Sequence, residues 1–309
     1  MIVRQHIFEM TEQTTKIKTL AGIVLLNPEI GRLRENIDAI KPQVDTLLLI
    51  ENGSSDLSYK ERLKDYEDII YFQNGRNMGL AYALNQILGY AYSHGYKWAL
   101  TMDQDSVASS NMIEEFIPLV ADDVGMIGPM IEDRNFKRNQ SWGIERGVIE
   151  MRWIISSASL TNVDAWMKCG GFDTDMFIDW VDWEIGESMH KAGYRILRTY
   201  KTKLLQELGH GTWLVWVRKH EMQIMNHSAF RYYHFFRNRL YMARKYSHIN
   251  MWHMIYENCF QMYAILRYEK NRLAKLWAFL RASVIGLFYP RVKYSFIKDE
   301  FLHLEGEII

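Results

Sequence analysis

Two periods alternate along the first third of the chain. Leu20 to Leu26 is an unbroken apolar run that stops at Asn27-Pro28, which predicts a strand buried on both faces and then a loop. Residues 30–40 place Ile30, Leu33, Ile37 and Ile40 at helical spacing. Residues 45–50 form a second apolar run, closed by Glu51-Asn52-Gly53-Ser54, and residues 56–66 read as an amphipathic segment. Residues 68–74 are a third strand, residues 75–79 a small-residue loop, and residues 80–95 a helix with Gly95 at its C-cap. A fourth strand over 97–106 runs into an acidic turn. Strand and helix in alternation, with short connections, predict an α/β fold with a parallel sheet. Ligands of such sheets gather beyond the carboxyl ends of the strands. The polar clusters Asn27, Glu51-Asn52, Asn74 to Gly79 and Asp103 to Asp105 all follow strands, so they converge on one edge.

The middle of the chain reads differently. Residues 124–131 predict a short strand, 133–153 a polar loop or hairpin, Ile154–Thr161 a strand and Val163–Lys168 a short helix. A Gly170-Gly171 turn and an acidic segment follow, leading into a helix that ends near Gly193. From residue 226 the pattern is mostly helical and rich in Tyr, Phe, Trp, Arg and His, with no repeat or low-complexity linker. Three parts are expected: a flexible arm over 1–17, an α/β body over 18–225 and a basic helical region over 226–309.

Of the 309 residues, 48% are apolar and 24% charged, which excludes a disordered chain, a collagen and a coiled-coil rod. Two cysteines, Cys169 and Cys259, cannot build a disulfide framework or a four-cysteine zinc site. The N-terminus lacks the apolar core of a signal peptide, and no segment reads as a spanning helix. The expectation is a cytoplasmic protein, free or peripheral on the inner face of the membrane. The net charge of zero hides an asymmetry: residues 231–309 hold 13 Lys and Arg against 6 Asp and Glu, and the remainder holds 24 against 31. An acidic body suits a metal ion, and a basic aromatic tail suits phosphates or an anionic membrane.

Asp103-Gln104-Asp105 places two carboxylates one residue apart after an apolar strand. Both reach one hard divalent ion such as Mg²⁺ or Mn²⁺, which neutralises a departing diphosphate. Alone the pair is more often a solvated turn; its place after the fourth strand favours the metal. Glu51-Asn52 suits a base edge or ribose hydroxyls, against a plain Asn-Gly turn. Asn77 and Gly79 lie in a loop entering a helix, where backbone approaches an anion closely, or where strand and helix simply pack. Asp179, Asp182 and Glu184 stand among Phe177, Trp180 and Trp183. A carboxylate among aromatics loses solvent and rises toward general-base range, although acids in a first helical turn also complement the dipole. His210 matters only as a third ligand beside Asp105. The segment from Phe230 to Arg239 suits phosphates or lipid headgroups, and residues 273–290 read as an interfacial helix or as core.

Together these segments resemble the inverting nucleotide-sugar glycosyltransferases of family 2, with the GT-A fold, and most of all their rhamnosyltransferase branch. The resemblance spans residues 20 to about 247. It rests on the ordered set GIVLLNP, LLLIENGS, NGRNMGLAYALN, WALTMDQDS, GGFDTDMFIDWVDWE, KAGYRI, LGHGT and RYYHFFRNRLYMARKY. It implies a GT-A catalytic domain over 18–225. Its implied donor-binding residues are Asn27, Glu51, Asn52, Asn77, Gly79, Asp103, Trp180 and Arg237. Asp105, Asp103 and His210 are implied metal ligands. Asp182 is the implied catalytic base, with Asp179 and Glu184 near it. Val181 replaces the Glu of the usual Glu-Asp pair, and Gln206 stands where the branch commonly has His.

The implied reaction is a single displacement on a divalent metal, most simply from dTDP-rhamnose, onto a hydroxyl of a lipid-linked or free saccharide. A UDP-hexose donor on the same fold, or a binding protein without turnover, are the alternatives. No nucleic-acid motif accompanies the basic tail.

Overall fold

The computed structural model describes residues 17–134, 147–206, 213–217, 220–294 and 297–309. Strands β1 (Thr19–Leu25), β2 (Thr46–Glu51), β3 (Ile69–Gln73) and β4 (Trp98–Asp103) run parallel in the order β3-β2-β1-β4. Helices α1 (Ile30–Ile40) and α2 (Leu80–Ser93) make two of the crossovers. Along β1, Ala21, Ile23 and Leu25 enter the core against Leu33 and Ile37 of α1, while Leu20 packs with Ile87 of α2 on the other face. Burial on both faces is why this strand has no polar alternation. Residues 56–66, expected as an amphipathic segment, contain a 3₁₀ helix over Ser58–Leu63.

After β4 come β5 (Val107–Ala108), α3 (Met112–Phe116), β6 (Val124–Asp133), β7 (Val148–Glu150) and β8 (Ser159–Asn162). Then follow α4 (Val163–Cys169), α5 (Val181–Lys191) and β9 (Arg195–Gln206). The full sheet order is β12-β3-β2-β1-β4-β8-β6-β9-β5, where β12 is Glu307–Ile308, with β7 beside β9. β8 is antiparallel to both β4 and β6, whereas β6 and β9 are parallel. The sheet is thus mixed but mostly parallel, flanked by helices, as the periodicity predicts.

Two details differ from the sequence reading. Of the expected strand 154–161 only the last three residues are strand, in β8 (Ser159–Asn162); Ile155, Ser156 and Ser157 leave the sheet to line a cavity. The 12-residue β9 was not foreseen. Its pairings beyond β6 are with the short β5 and β7, so it carries Arg195, Arg198, Lys201 and Lys203 and shows no apolar run.

β10 (Trp213–Val217) and β11 (His220–Ile224) form an antiparallel hairpin. Helices α6 (Ala229–Lys245), α7 (Met251–Tyr268) and α8 (Arg272–Phe288) follow, around a small core of Tyr232, Phe236, Met262, Ile265 and Ala282. The last residues return to the body: β12 (Glu307–Ile308) pairs with β3, and Phe301 is buried over Gly89.

Candidate functional site

The carboxyl ends of β1 and β4, the 155–157 segment and the turn before α5 enclose a cavity of about 430 Å³. Asp103, Asp105, Asp179, Trp180, Asp182, Asn52 and Asn77 all line it. Gln104, Ser156, Ser157, Gln206 and Arg231 line it too; the sequence pattern gives Gln104, Ser156 and Ser157 no role, places Arg231 only within the 230–239 segment suited to phosphates or lipid headgroups, and marks Gln206 only as standing where His is common.

The Asp103 turn is held from four sides. Its backbone N–H donates to Ser157 Oγ (3.1 Å), its carbonyl accepts from Asn36 Nδ2 (2.7 Å), and its Oδ2 accepts from Gln206 Nε2 (2.9 Å). Gln104 clamps the end of β1, accepting from Leu26 N at 2.7 Å and donating to Leu26 O at 3.1 Å. Burial, then the neighbouring Asp105 and Asp182 charges, push the Asp103 carboxyl up to about 7, with Arg231 opposing.

Asp182 sits in the first turn of α5 and its Oδ1 accepts from the Ser156 N–H at 3.0 Å. Burial raises it to about 6; the Ser156 bonds oppose the rise and Asp179 adds to it. Asp179 is also raised by burial, and Arg231 opposes that shift. The Arg231 guanidinium reaches Asp179 at 3.0 to 3.2 Å through Nε and Nη2, an arrangement suited to oxyanions.

The turn that launches α5 is strained. Asp179 and Trp180 both take positive φ, 62° and 67°, which costs a non-glycine residue about 1–3 kcal/mol. Asn238 of α6, fully buried, pins it by donating from Nδ2 to Ile178 O and Asp179 O, each at 2.9 Å. Arg237 donates to Asp175 O and to Asn238 Oδ1. Arg237 therefore straps the loop and does not line the cavity; Arg231, six residues earlier on the same helix, does.

Glu184 also points elsewhere. It is fully buried and accepts from Lys245 Nζ (2.6 Å), Tyr246 OH (2.7 Å) and Ser188 Oγ (2.9 Å). Lys245 bridges it to Asp173 at 3.1 Å. Glu51 is buried and accepts from Ser54 N in its turn. Asn27 accepts from Ser55 N and Oγ and lines a neighbouring 410 Å³ pocket with Asp56, Tyr59 and Arg62. Asn52 organises the third loop: it donates to Gly79 O and accepts from Asn74 Nδ2 and Met78 N. Gly53 and Gly79 are required there. Both have φ near +90°, and a Cβ would fall 2.1 Å from Asn77 N at the first and 2.8 Å from Phe177 at the second.

Two buried polar atoms of the cavity lining, Trp180 Nε1 and Gln206 Oε1, have no hydrogen-bond partner among the described residues. Such orphans in a concave polar site are ready for a ligand. No group of three His, Cys, Asp or Glu gathers to hold a metal ion among the described residues; the Asp103 and Asp105 carboxylates and Gln206 Oε1 are among the oxygen donors of the lining. His210 lies outside the described residues.

Comparison with known proteins agrees with this architecture. The model of the family described as Glycosyl transferase family 2 matches residues 23–179. A Shigella flexneri protein named dTDP-rhamnosyl transferase RfbF is 25% identical over 285 residues, 86% of this chain and 94% of that protein. Among solved structures, S. aureus TarS 1-349 in complex with UDP-GlcNAc is similar over 87% of this chain and 83% of that one (TM-score 0.54, 12% identity). GalNAc-T7 with UDP, GalNAc and Mn²⁺ is similar over 74% of this chain (TM-score 0.54, 12% identity), and the match spans 48% of that longer protein.

Proposed function

Because the chain belongs to glycosyl transferase family 2, we propose that it is an inverting transferase moving rhamnose from dTDP-rhamnose to a saccharide hydroxyl in cell-surface polysaccharide synthesis. The observation that carries the reading is the gathering of Asp103, Asp105, Asp182 and Arg231 around one cavity. The donor lies with its diphosphate toward Asp103, Asp105 and Arg231. Asn52 and Asn77 contact the nucleotide side, and Trp180 Nε1 donates to the donor. Asp182, with its raised pKa, takes the proton of the acceptor hydroxyl as that oxygen attacks the anomeric carbon from the opposite face. Arg231 leaves Asp179 in part to meet the charge developing on the leaving diphosphate, the largest expected term in the barrier.

The oxygen donors Asp103, Asp105 and Gln206 Oε1 fit a hard cation such as Mg²⁺ or Mn²⁺. When bound, it supplies charge neutralisation on the diphosphate. The identity of the donor is supported by the similarity to the dTDP-rhamnosyl transferase over nearly its whole length. The 18–225 body together with Arg231 of α6 carries the chemistry, and the rest of the 226–309 region brings a lipid-carried acceptor to it.

The test is transfer and slow hydrolysis with dTDP-rhamnose, UDP-glucose and UDP-galactose, with and without Mn²⁺. Turnover of dTDP-rhamnose alone supports the proposal. Turnover of a UDP-hexose keeps the chemistry and replaces the donor. Binding of a nucleotide sugar without any turnover overturns the enzyme reading.

A further inference from the structure

α8 carries a second apolar face that the rest of the chain leaves uncovered. Its buried face is small: Ala278, Ala282 and Gly286 lie against α6, where a Cβ on Gly286 would come within 3.0 Å of Arg237 O. Leu276 and Phe279 pack on the core of this helical region, but six other large apolar side chains point away. Leu273, Trp277, Leu280, Val284, Leu287 and Phe288 are 83%, 68%, 48%, 63%, 37% and 73% exposed. Their spacing of three and four residues puts them on one stripe. Single exposed apolar residues need no explanation, but a contiguous stripe of six marks a surface that something covers.

The charges that the chain carries along α8 and the segment after it are of one sign. No Asp or Glu occurs from residue 270 to residue 298. Lys270, Arg272, Arg281 and Arg291 are exposed along and just beyond the helix, and Lys293 beyond it pairs with Asp175 at 3.0 Å. Tyr289 and Tyr294, 64% and 60% exposed, follow its end, the amphipathic side chains favoured at a membrane interface. A second copy of the chain is a poor cover, because a two-fold contact through α8 brings the same basic set together from both sides. An anionic bilayer answers both the apolar stripe and the positive charge. No helix among the described residues is long and apolar enough to cross a membrane, so the contact is one that lies on the surface.

We propose that the exposed face of α8, centred on Trp277 and Val284 and flanked by Arg272 and Arg281, is a docking surface for an anionic lipid bilayer. The inference rests on the reading above for its purpose, bringing a lipid-carried acceptor to the cavity. The experiment is therefore run without donor or acceptor, so that its failure and the failure of the transfer reading are distinguishable.

The full chain is floated with vesicles of phosphatidylcholine, or of phosphatidylcholine with phosphatidylglycerol, at low and high salt. Wild type is expected to float with the anionic vesicles at least tenfold more than with the neutral ones, and to be released by salt. The double variant Trp277→Glu, Val284→Glu is expected to lose at least tenfold of that binding. Arg272→Glu with Arg281→Glu is expected to remove the preference for anionic lipid. All four side chains are exposed, and an unchanged Tm and circular dichroism spectrum of the variants excludes misfolding. Wild type that floats with neither vesicle overturns the proposal. So does a wild-type dimer in light scattering that the Trp277/Val284 variant converts to monomer, which would assign the face to a second copy.

Discussion

Replacing Asn238 by Ala separates a positioning role from a merely structural one. The Asn238 side chain lies out of solvent and gives two 2.9 Å hydrogen bonds to the carbonyls of Ile178 and Asp179. Those carbonyls flank two residues held at positive φ. Each lost bond has a net value of about 1 kcal/mol, and each carbonyl left buried without a partner costs about 1–3 kcal/mol. If the turn stays in place, the stability loss is therefore about 2–4 kcal/mol. If the turn relaxes instead, release of the strain at Asp179 and Trp180 returns part of this, about 1–3 kcal/mol per residue. The stability cost then shrinks, but Asp182, two residues on, is displaced. A displacement on the order of 1 Å at a reacting group costs about 100-fold in rate. The expected result is a fall in Tm of only a few degrees together with a kcat lowered by about 10- to 100-fold, with little change in donor KM. Asn238→Asp, which keeps the shape but faces a carboxylate toward two carbonyl oxygens, is expected to be worse at pH 8 than at pH 5.5. Thermal melts and initial rates on the same preparations give both numbers. A variant that loses stability and keeps wild-type kcat would refute the idea that α6 positions the Asp182 turn.

Three further outcomes are expected. With Asp182 as base, kcat/KM rises with pH through about 6 and falls about tenfold per unit below it; Asp182→Asn loses that limb and at least 100-fold in rate, as initial rates from pH 5 to 8 will show. Arg231→Ala is expected to raise donor KM and lower kcat together, whereas Arg237→Ala, whose partners are Asp175 O and Asn238, lowers Tm first; calorimetric titration of dTDP against both variants separates them. Lys245→Met leaves Asp173 and Glu184 buried without their shared cation, and a loss of about 3–5 kcal/mol in urea unfolding is expected.

The first half of the sheet was legible because strands buried on both faces must be apolar throughout. β1 to β4 and their two helices follow from that constraint and the helical period. β9 escaped it, since a strand with one face near solvent carries Arg and Lys between its apolar positions. The Ile154–Ala158 run escaped in the opposite sense: its apolar pattern reads as strand, but tertiary packing bends it under the cavity, where the backbone N–H of Ser156 meets Asp182.

The chain by itself determined where polar chemistry could gather. Four clusters follow four parallel strands, and the connections put them on one edge. Which side chains face the cavity was decided only by tertiary structure. Asp182 and Glu184 are two residues apart on one helix, so about 200° of rotation separates them; one lines the cavity and the other is buried against Lys245. Arg231 and Arg237 stand six residues apart on α6, about 240° of rotation, and the same choice is made between them. Residue type and spacing fix the set of possible groups. The rotation of each helix against the sheet, set by packing of its apolar side, selects the members that meet a ligand.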